Sequence, residues 1–292
     1  MNHSDQRVVL RICKGVLHIF DVLFEEKKVS EDLINVVGPM MNTIKTIFSL
    51  SKVKGNDKMF LEEQIVPDLL KIINDYYIHE NGEKKMISIT SKKIVNEGKT
   101  VEVHNQEALA SFFLFTTGTI KNISEDKKVV NSLYENNALY IFVDLCRVIL
   151  DRKDQKAAQL LVQVTGVLRN LVNDTQNIFD FIEYGSLEIL DRILIFINHK
   201  ELMLNLTRIL SKVSNNKDAL VIMSGFGENF IYQLAQVLIK YRDNLTILVR
   251  AAYVLGNLTT DFQESWQVII QKRLFPALVS NTIALMEQDM KP

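Results

Sequence analysis

Gly166-Val-Leu-Arg-Asn-Leu-Val172 recurs along the chain in altered form: Gly118-Thr-Ile-Lys-Asn-Ile-Ser124, Arg208-Ile-Leu-Ser-Lys-Val-Ser214 and Tyr253-Val-Leu-Gly-Asn-Leu-Thr259. Aligned on Asn122, Asn170, Lys212 and Asn257, the copies stand 48, 42 and 45 residues apart. At that period a multi-helix unit stacks on copies of itself, each covering apolar surface its neighbour leaves open. The expected fold is an all-α solenoid, read as one continuous repeat domain over residues 1–292.

Working outward from each phrase, the pattern is a polar break, a short amphipathic stretch, a turn-forming pair and two longer apolar runs. Three helices per unit follow. In the unit spanning 124–172, Ser124-Glu-Asp reads as the start of the first helix, with a Ser cap and acids at the positive end of the helix dipole. Asn136-Asn137-Ala138 breaks that helix, and Asp151-Arg-Lys-Asp154 separates the second helix from the third. Leu160, Leu161, Val164, Val167, Leu168 and Leu171 recur at spacings of three and four, which puts them on one buried face.

The units at 173–214 and 215–259 repeat the plan, with breaks at Tyr184-Gly185-Ser186 and Gly225-Phe-Gly227. Third helices are expected at Gln106 to Ile123, Gln155 to Val172, Glu201 to Val213 and Leu245 to Thr259. An irregular unit occupies 1–52, and a further one, 56–123, carries an insertion at 79–105. Within it, Met86–Ile89, Ile94–Val95 and Thr100–Val103 alternate around Asn96-Glu-Gly-Lys99, as in a small β-hairpin. Pro67 and Pro276 suit a first helical position, where no N–H is needed. The last unit, 261–292, lacks a third helix, so Trp266, Phe275, Leu278 and Ile283 are expected to present an apolar end to a partner.

Composition narrows the function. Hydrophobic residues make up 47% of the chain, with 11 Gly and only 4 Pro, a balance that favours long helices. The formal net charge is −1, which gives no cationic excess for nucleic acid. No basic leader and no run of about 18 uncharged apolar residues is present, so a soluble intracellular chain without membrane attachment is expected. Cys13 and Cys146 each stand alone in an apolar helical pattern and read as core packing. The sequons at Asn122, Asn205, Asn244 and Asn257 then carry no weight.

Chemistry is absent. His3, His18, His79, His104 and His199 are scattered, with no zinc spacing, so no metal site is expected. Gly225-Phe-Gly227 lacks the Lys of a phosphate loop and the third glycine of a dinucleotide turn, so no cofactor is expected. The acid pairs Glu25-Glu26 and Glu62-Glu63 read as solvated turns. With no nucleophile beside a base, the chain reads as non-catalytic.

The repeated Asn is the remaining signal, since Asn inside a helix costs roughly 0.5 kcal/mol or more relative to Ala. One reading is an amide that bonds a neighbouring helix end; the other is a row of amides gripping a peptide. On the same face lie Phe115 and Gly118, Gln163 and Gly166, Arg208, then Arg250 and Tyr253. The candidate partner-binding residues are therefore Asn122, Gln163, Asn170, Arg208, Lys212, Arg250, Tyr253 and Asn257. The row turns basic toward the C-terminus and suits an acidic segment.

The pattern G-x-(L/I)-x-N-(L/I), closing three-helix units of about 45 residues, resembles the armadillo repeat. HEAT repeats, with two helices, leave the short first helices unexplained. The resemblance implies an armadillo-type α-solenoid, a right-handed superhelix of three-helix repeats. Leu161-Val-Gln-Val-Thr-Gly-Val-Leu-Arg-Asn-Leu-Val172, Thr207-Arg-Ile-Leu-Ser-Lys-Val213 and Val249-Arg-Ala-Ala-Tyr-Val-Leu-Gly-Asn-Leu-Thr259 are similar, in order and spacing, to armadillo-repeat proteins of motile cilia and flagella. This implies a non-catalytic adapter of the axoneme and cytoplasm, with radial spoke or intraflagellar transport components as partners. Nuclear-import armadillo proteins place Trp four residues before the Asn. Here those positions hold Gly118, Gly166, Arg208 and Tyr253, and the single Trp266 lies elsewhere. The alternative, a cytosolic peptide-binding module of signalling or nuclear transport, is the second expectation.

Overall fold

The computed structural model describes residues 2–25, 32–75, 77–80, 83–86, 93–96, 99–102, 105–151, 155–280 and 283. By internal contacts the chain divides into two compact units, Met1–Leu171 and Val172–Pro292. Each is built from the same helix triplets.

The first unit opens with α1 (His3–Glu25) and α2 (Asp32–Ser51), followed by α3 (Asp57–Glu62), α4 (Ile65–Asp75) and α5 (Asn105–Ile123). The triplet α6 (Lys127–Glu135), α7 (Ala138–Leu150) and α8 (Gln155–Leu171) completes it. Long helices α2, α5 and α8 pack side by side in sequence order, while α7 packs on α8. Their shared core includes Ile44, Ile47, Phe112, Ile120, Leu161, Val164 and Leu168.

The second unit holds α9 (Thr175–Glu183), α10 (Ser186–Ile193) with a 3-10 turn at Leu194–Phe196, and α11 (Lys200–Val213). It continues with α12 (Lys217–Ser224), α13 (Gly227–Lys240), α14 (Leu245–Asp261) and α15 (Gln263–Gln271). Residues 275–280 are again helical. Here α11 packs on α14, and α13 fills the layer beneath α14 and α15. Leu168 and Leu171, both expected inside, are at most 1% exposed, and Leu210, Leu255 and Leu258 at the matching positions are at most 6% exposed.

Two local rules written in the sequence set these triplets. First, in three of the units a side-chain oxygen caps the opening helix: Asp126 accepts from the N–H groups of Lys128 and Val129, Asp174 from Asn177, and Asn216 from Ala219. The cap of the α6 triplet is thus Asp126, and Ser124, read as that cap, has another role. Second, every break between a first and a second helix contains one left-handed residue: Gln64 (φ 52), Asn137 (φ 58), Gly185 (φ 66), Gly227 (φ 77) and Arg273 (φ 54). That turn reverses the chain within two or three residues, and Gly reaches it without the Cβ penalty. Pro67 sits at the third position of α4, not the first. It is tolerated because the whole first turn lacks intrahelical acceptors.

Between α4 and α5 the backbone forms two separate antiparallel ladders. β1 (Tyr77–Glu80) pairs with β2 (Glu83–Met86), and β3 (Lys93–Asn96) pairs with β4 (Lys99–Glu102), with Ile94 opposite Val101. β3 and β4 are the strands expected on either side of Asn96-Glu-Gly-Lys99, whereas Met86, expected in the same hairpin, ends the first ladder. Residues 87–92, 97–98 and 103–104 lie outside the described residues.

Candidate protein-binding face

The repeated Asn resolves into a staple between successive third helices. Asn122 on α5 donates from Nδ2 to Ser51 Oγ at the end of α2, at 2.9 Å. Asn170 on α8 donates to Ser124 Oγ just after α5, at 2.8 Å. Asn257 on α14 donates to Ser214 Oγ just after α11, at 3.0 Å, and to the Ser214 carbonyl at 3.2 Å. In turn the serine hydroxyls donate to carbonyls three residues back, Ser51 to Phe48 at 2.7 Å and Ser124 to Lys121 at 2.9 Å. Each Asn thus satisfies a helix C-terminus whose last carbonyls have no partner of their own.

The exception obeys the same rule. Where Ser51, Ser124 and Ser214 stand, the 124–172 unit has Val172, which offers no hydroxyl. Opposite it, Lys212 replaces Asn, and its longer arm reaches the Val172 carbonyl at 2.9 Å and Asn173 Oδ1 at 2.7 Å. Serine two residues after the phrase's Asn is the sequence signal for this staple. It was legible only in phase with the next repeat, so the sequence reading singled out the Asn row without its serines.

The rest of the face differs between the units. In the first, Gln163 lies against Gly118: a Cβ built at Gly118 would stand 3.6 Å from Gln163 Oε1 and 2.8 Å from the Phe48 ring. The glycine of the phrase therefore admits the Phe48 ring, which meets Phe115 edge-on at 5.3 Å between centroids. Lys52 and Lys45 lie over these rings, at 4.1 and 5.7 Å.

In the second unit the same positions hold cations with no ion pair among the described residues. Arg208 is half-buried, and its Nε is buried with no hydrogen-bond partner among the described residues. Arg250 donates from Nη1 only to its own helix, to the Thr246 carbonyl at 3.2 Å. Burial, and then the charge of Arg208, push the Arg250 guanidinium below the ordinary arginine range. Tyr253, 48% exposed, donates its hydroxyl to Asn215 Oδ1 at 2.5 Å, which fixes the ring beside them. Asn215 is a residue the sequence reading did not place at the face.

The C-terminal candidates converge as well. Trp266, Phe275, Leu278 and Ile283 line one apolar groove of about 360 Å³, closed on its other side by Leu248 and Leu255 of α14. Trp266 is 44% exposed and Phe275 and Ile283 52%. Gly256 and Ala252 on α14 also line this groove and are exposed.

Among the described residues no group of three or more His, Cys, Asp or Glu could hold a metal ion, and no helix is long and apolar enough to cross a membrane. Cys146 is fully buried, and burial raises its thiol far above the ordinary range. Glu62 and Glu63, read as a solvated turn, are ion-paired: Arg7 reaches Glu62 at 2.5 Å, and Arg11 holds both carboxylate oxygens of Glu63, at 2.7 and 2.9 Å.

No protein-family model matches the chain. It is similar to Armadillo repeat-containing protein 2 of Bos taurus, 24% identical over 249 residues, which are 82% of this chain and 25% of the relative. It is similar to Armadillo repeat-containing protein 2 of Homo sapiens as well, 24% identical over 227 residues, 75% of this chain and 23% of that one. The chain thus spans about a quarter of the length of these relatives. Among solved structures it is similar to a designed armadillo repeat protein in complex with the peptide (KR)4. That match has a TM-score of 0.51 and 15% identity, covering 89% of this chain and 95% of the other. Computationally designed armadillo repeat proteins for modular peptide recognition match at a TM-score of 0.52 and 15% identity, over 87% of this chain and 92% of theirs. The fold is an all-α armadillo-type solenoid.

Proposed function

We propose that the chain is a non-catalytic scaffold that binds other proteins along its third-helix face, acting in motile cilia as an axonemal adapter. Radial spoke or intraflagellar transport components are its partners in this reading, and cilium and cytoplasm its location. One observation carries the binding role: in each unit the third helices are stapled in register, Asn170 to Ser124 and Asn257 to Ser214, so that one row of side chains faces outward at repeat spacing. A row of that kind suits an extended segment, whose residues also recur at fixed spacing. The ciliary setting rests on the resemblance of the repeat phrases to ciliary armadillo-repeat proteins, and the likeness to Armadillo repeat-containing protein 2 supports the armadillo part of that reading.

The apolar groove at Trp266, Phe275, Leu278 and Ile283 is the second proposed contact. Half-exposed aromatic groups around a concave apolar surface are a common signature of a protein contact.

The test is placement and capture in ciliated cells. A tagged chain is expected to concentrate in the axoneme, and p-benzoylphenylalanine substituted at Tyr253 to cross-link to spoke or transport proteins on illumination. A chain that stays diffuse and yields no Tyr253-dependent adduct overturns the proposal.

A further inference from the structure

Several cations elsewhere among the described residues are ion-paired. Arg7 and Arg11 hold Glu62 and Glu63, Lys71 holds Asp21 at 2.6 Å, and Arg147 holds Asp144 at 2.9 Å. Arg208 and Arg250 are part-buried and have no such partner among the described residues. Position 208 has Leu204, Asn205, Ser211 and Lys212 three and four residues away, and position 250 has Thr246, Ile247, Tyr253 and Val254. Neither helix supplies a carboxylate at the spacing where one would reach.

Neighbouring helices supply none either. Among the described residues Arg208 and Arg250 form no ion pair, and the two charges are close enough to oppose each other. Lys212, the third cation of the row, is spent on the Val172 carbonyl and Asn173. Two part-buried guanidinium groups side by side, one with a buried unpartnered N–H, are unfavourable unless something negative joins them. The chain as a whole has net charge −1, so the concentration of positive charge is local.

We propose that Arg208 and Arg250 form a clamp for a carboxylate of an acidic segment, rich in Asp or Glu, on a partner protein. The guanidinium forks donate paired hydrogen bonds to its oxygens, a geometry that guanidinium and carboxylate share. Tyr253, held by Asn215, gives the segment a flat apolar surface next to the charge. A carboxylate held there relieves the mutual repulsion of the two arginines. This assignment rests on the third-helix face being the protein-binding face.

Fluorescence anisotropy on the full chain with a labelled octaglutamate peptide tests the clamp, with octalysine and a phosphoserine peptide of neutral composition as comparisons. Octaglutamate is expected to bind and octalysine not. Arg208→Gln and Arg250→Gln are each expected to weaken octaglutamate about tenfold or more, since a charge-assisted hydrogen bond is lost. Both variants should melt no lower than wild type, because a repulsive pair has been removed; a merely structural arginine would lower the melting temperature instead. Unchanged octaglutamate affinity in both variants overturns the clamp, as does equal binding of octalysine. Binding of the phosphoserine peptide without octaglutamate overturns the choice of carboxylate. Mass spectrometry of the Tyr253 adduct separates the two levels. A captured segment without acidic residues sinks the clamp and leaves the binding face standing, whereas no adduct at all sinks the face.

Discussion

Residues two positions apart in the recurring phrase carry the register of the array, and the Val172 exception shows that they do so by hydrogen bonding. Lys212→Met keeps the aliphatic stem but removes the donor to Val172 and Asn173, and about 1–2 kcal/mol of stability is expected to go with it. Asn170→Ala should cost about 1 kcal/mol, and a double-mutant cycle with Ser124→Ala should return most of that as coupling. A coupling near zero would mean that the Asn–Ser contact holds nothing. The Asn row was legible in the sequence because Asn is unfavourable inside a helix. Its acceptor was not, because the serine belongs to the previous repeat. Cys146 offers a simpler check: with its thiol buried and its ionisation suppressed, it is expected to resist thiol reagents until the chain unfolds. Modification of Cys146 in the native protein would contradict its burial.

Helices are the best-read level, for a physical reason. An apolar stripe at period 3.6 repeats over several turns, so α5, α8, α11 and α14 begin and end within two residues of their expected bounds. Leu171 closes such a stripe and is 0% exposed, so Leu171→Asp places a carboxylate in a dry layer at a cost of several kcal/mol. A lowered melting temperature is expected, and an unchanged one would refute the register. Short strands carry no such redundancy: alternation around Asn96-Glu-Gly-Lys99 points to the pairing of 93–96 with 99–102, whereas 83–86, Glu-Lys-Lys-Met, shows no alternation and its pairing with 77–80 is not legible. The N-terminal helix shows what pattern reading omits. Its ties are charges 52 and 55 residues apart, Arg11 to Glu63 and Arg7 to Glu62, which no local periodicity reveals. The hydrogen bond from Arg11, aided by its charge and those of Arg7 and Lys14, holds the Glu63 carboxyl below the ordinary range. A depressed carboxylate stabilises above its unfolded pKa and ceases to do so as pH falls through the folded value. The melting temperature of Arg11→Gln should therefore lie below wild type at neutral pH and converge with it in acid, below the ordinary carboxylate range. A difference that persists in acid would assign the contribution of Arg11 to packing of its stem.

At the scale of the whole chain, 292 residues contain one tryptophan, and it stands at the groove formed by α14, α15, Phe275, Leu278, Val279 and Ile283. That coincidence turns a spectroscopic signal into a positional one. Ile283 and Phe275 are each more than half exposed, so the groove presents apolar surface to water, worth about 25 cal/mol per Å² once covered. An apolar fluorophore such as anilinonaphthalene sulfonate is expected to bind there in the native protein, with energy transfer from Trp266. Leu278→Glu, which puts a charge on the groove wall, should abolish that transfer while the far-ultraviolet helix signal stays unchanged. If the fluorophore binds without transfer from Trp266, the apolar surface that attracts it lies elsewhere in the molecule. If Leu278→Glu leaves the transfer intact, the groove is not what the dye occupies, and Trp266, Phe275 and Ile283 lose their claim as a contact surface.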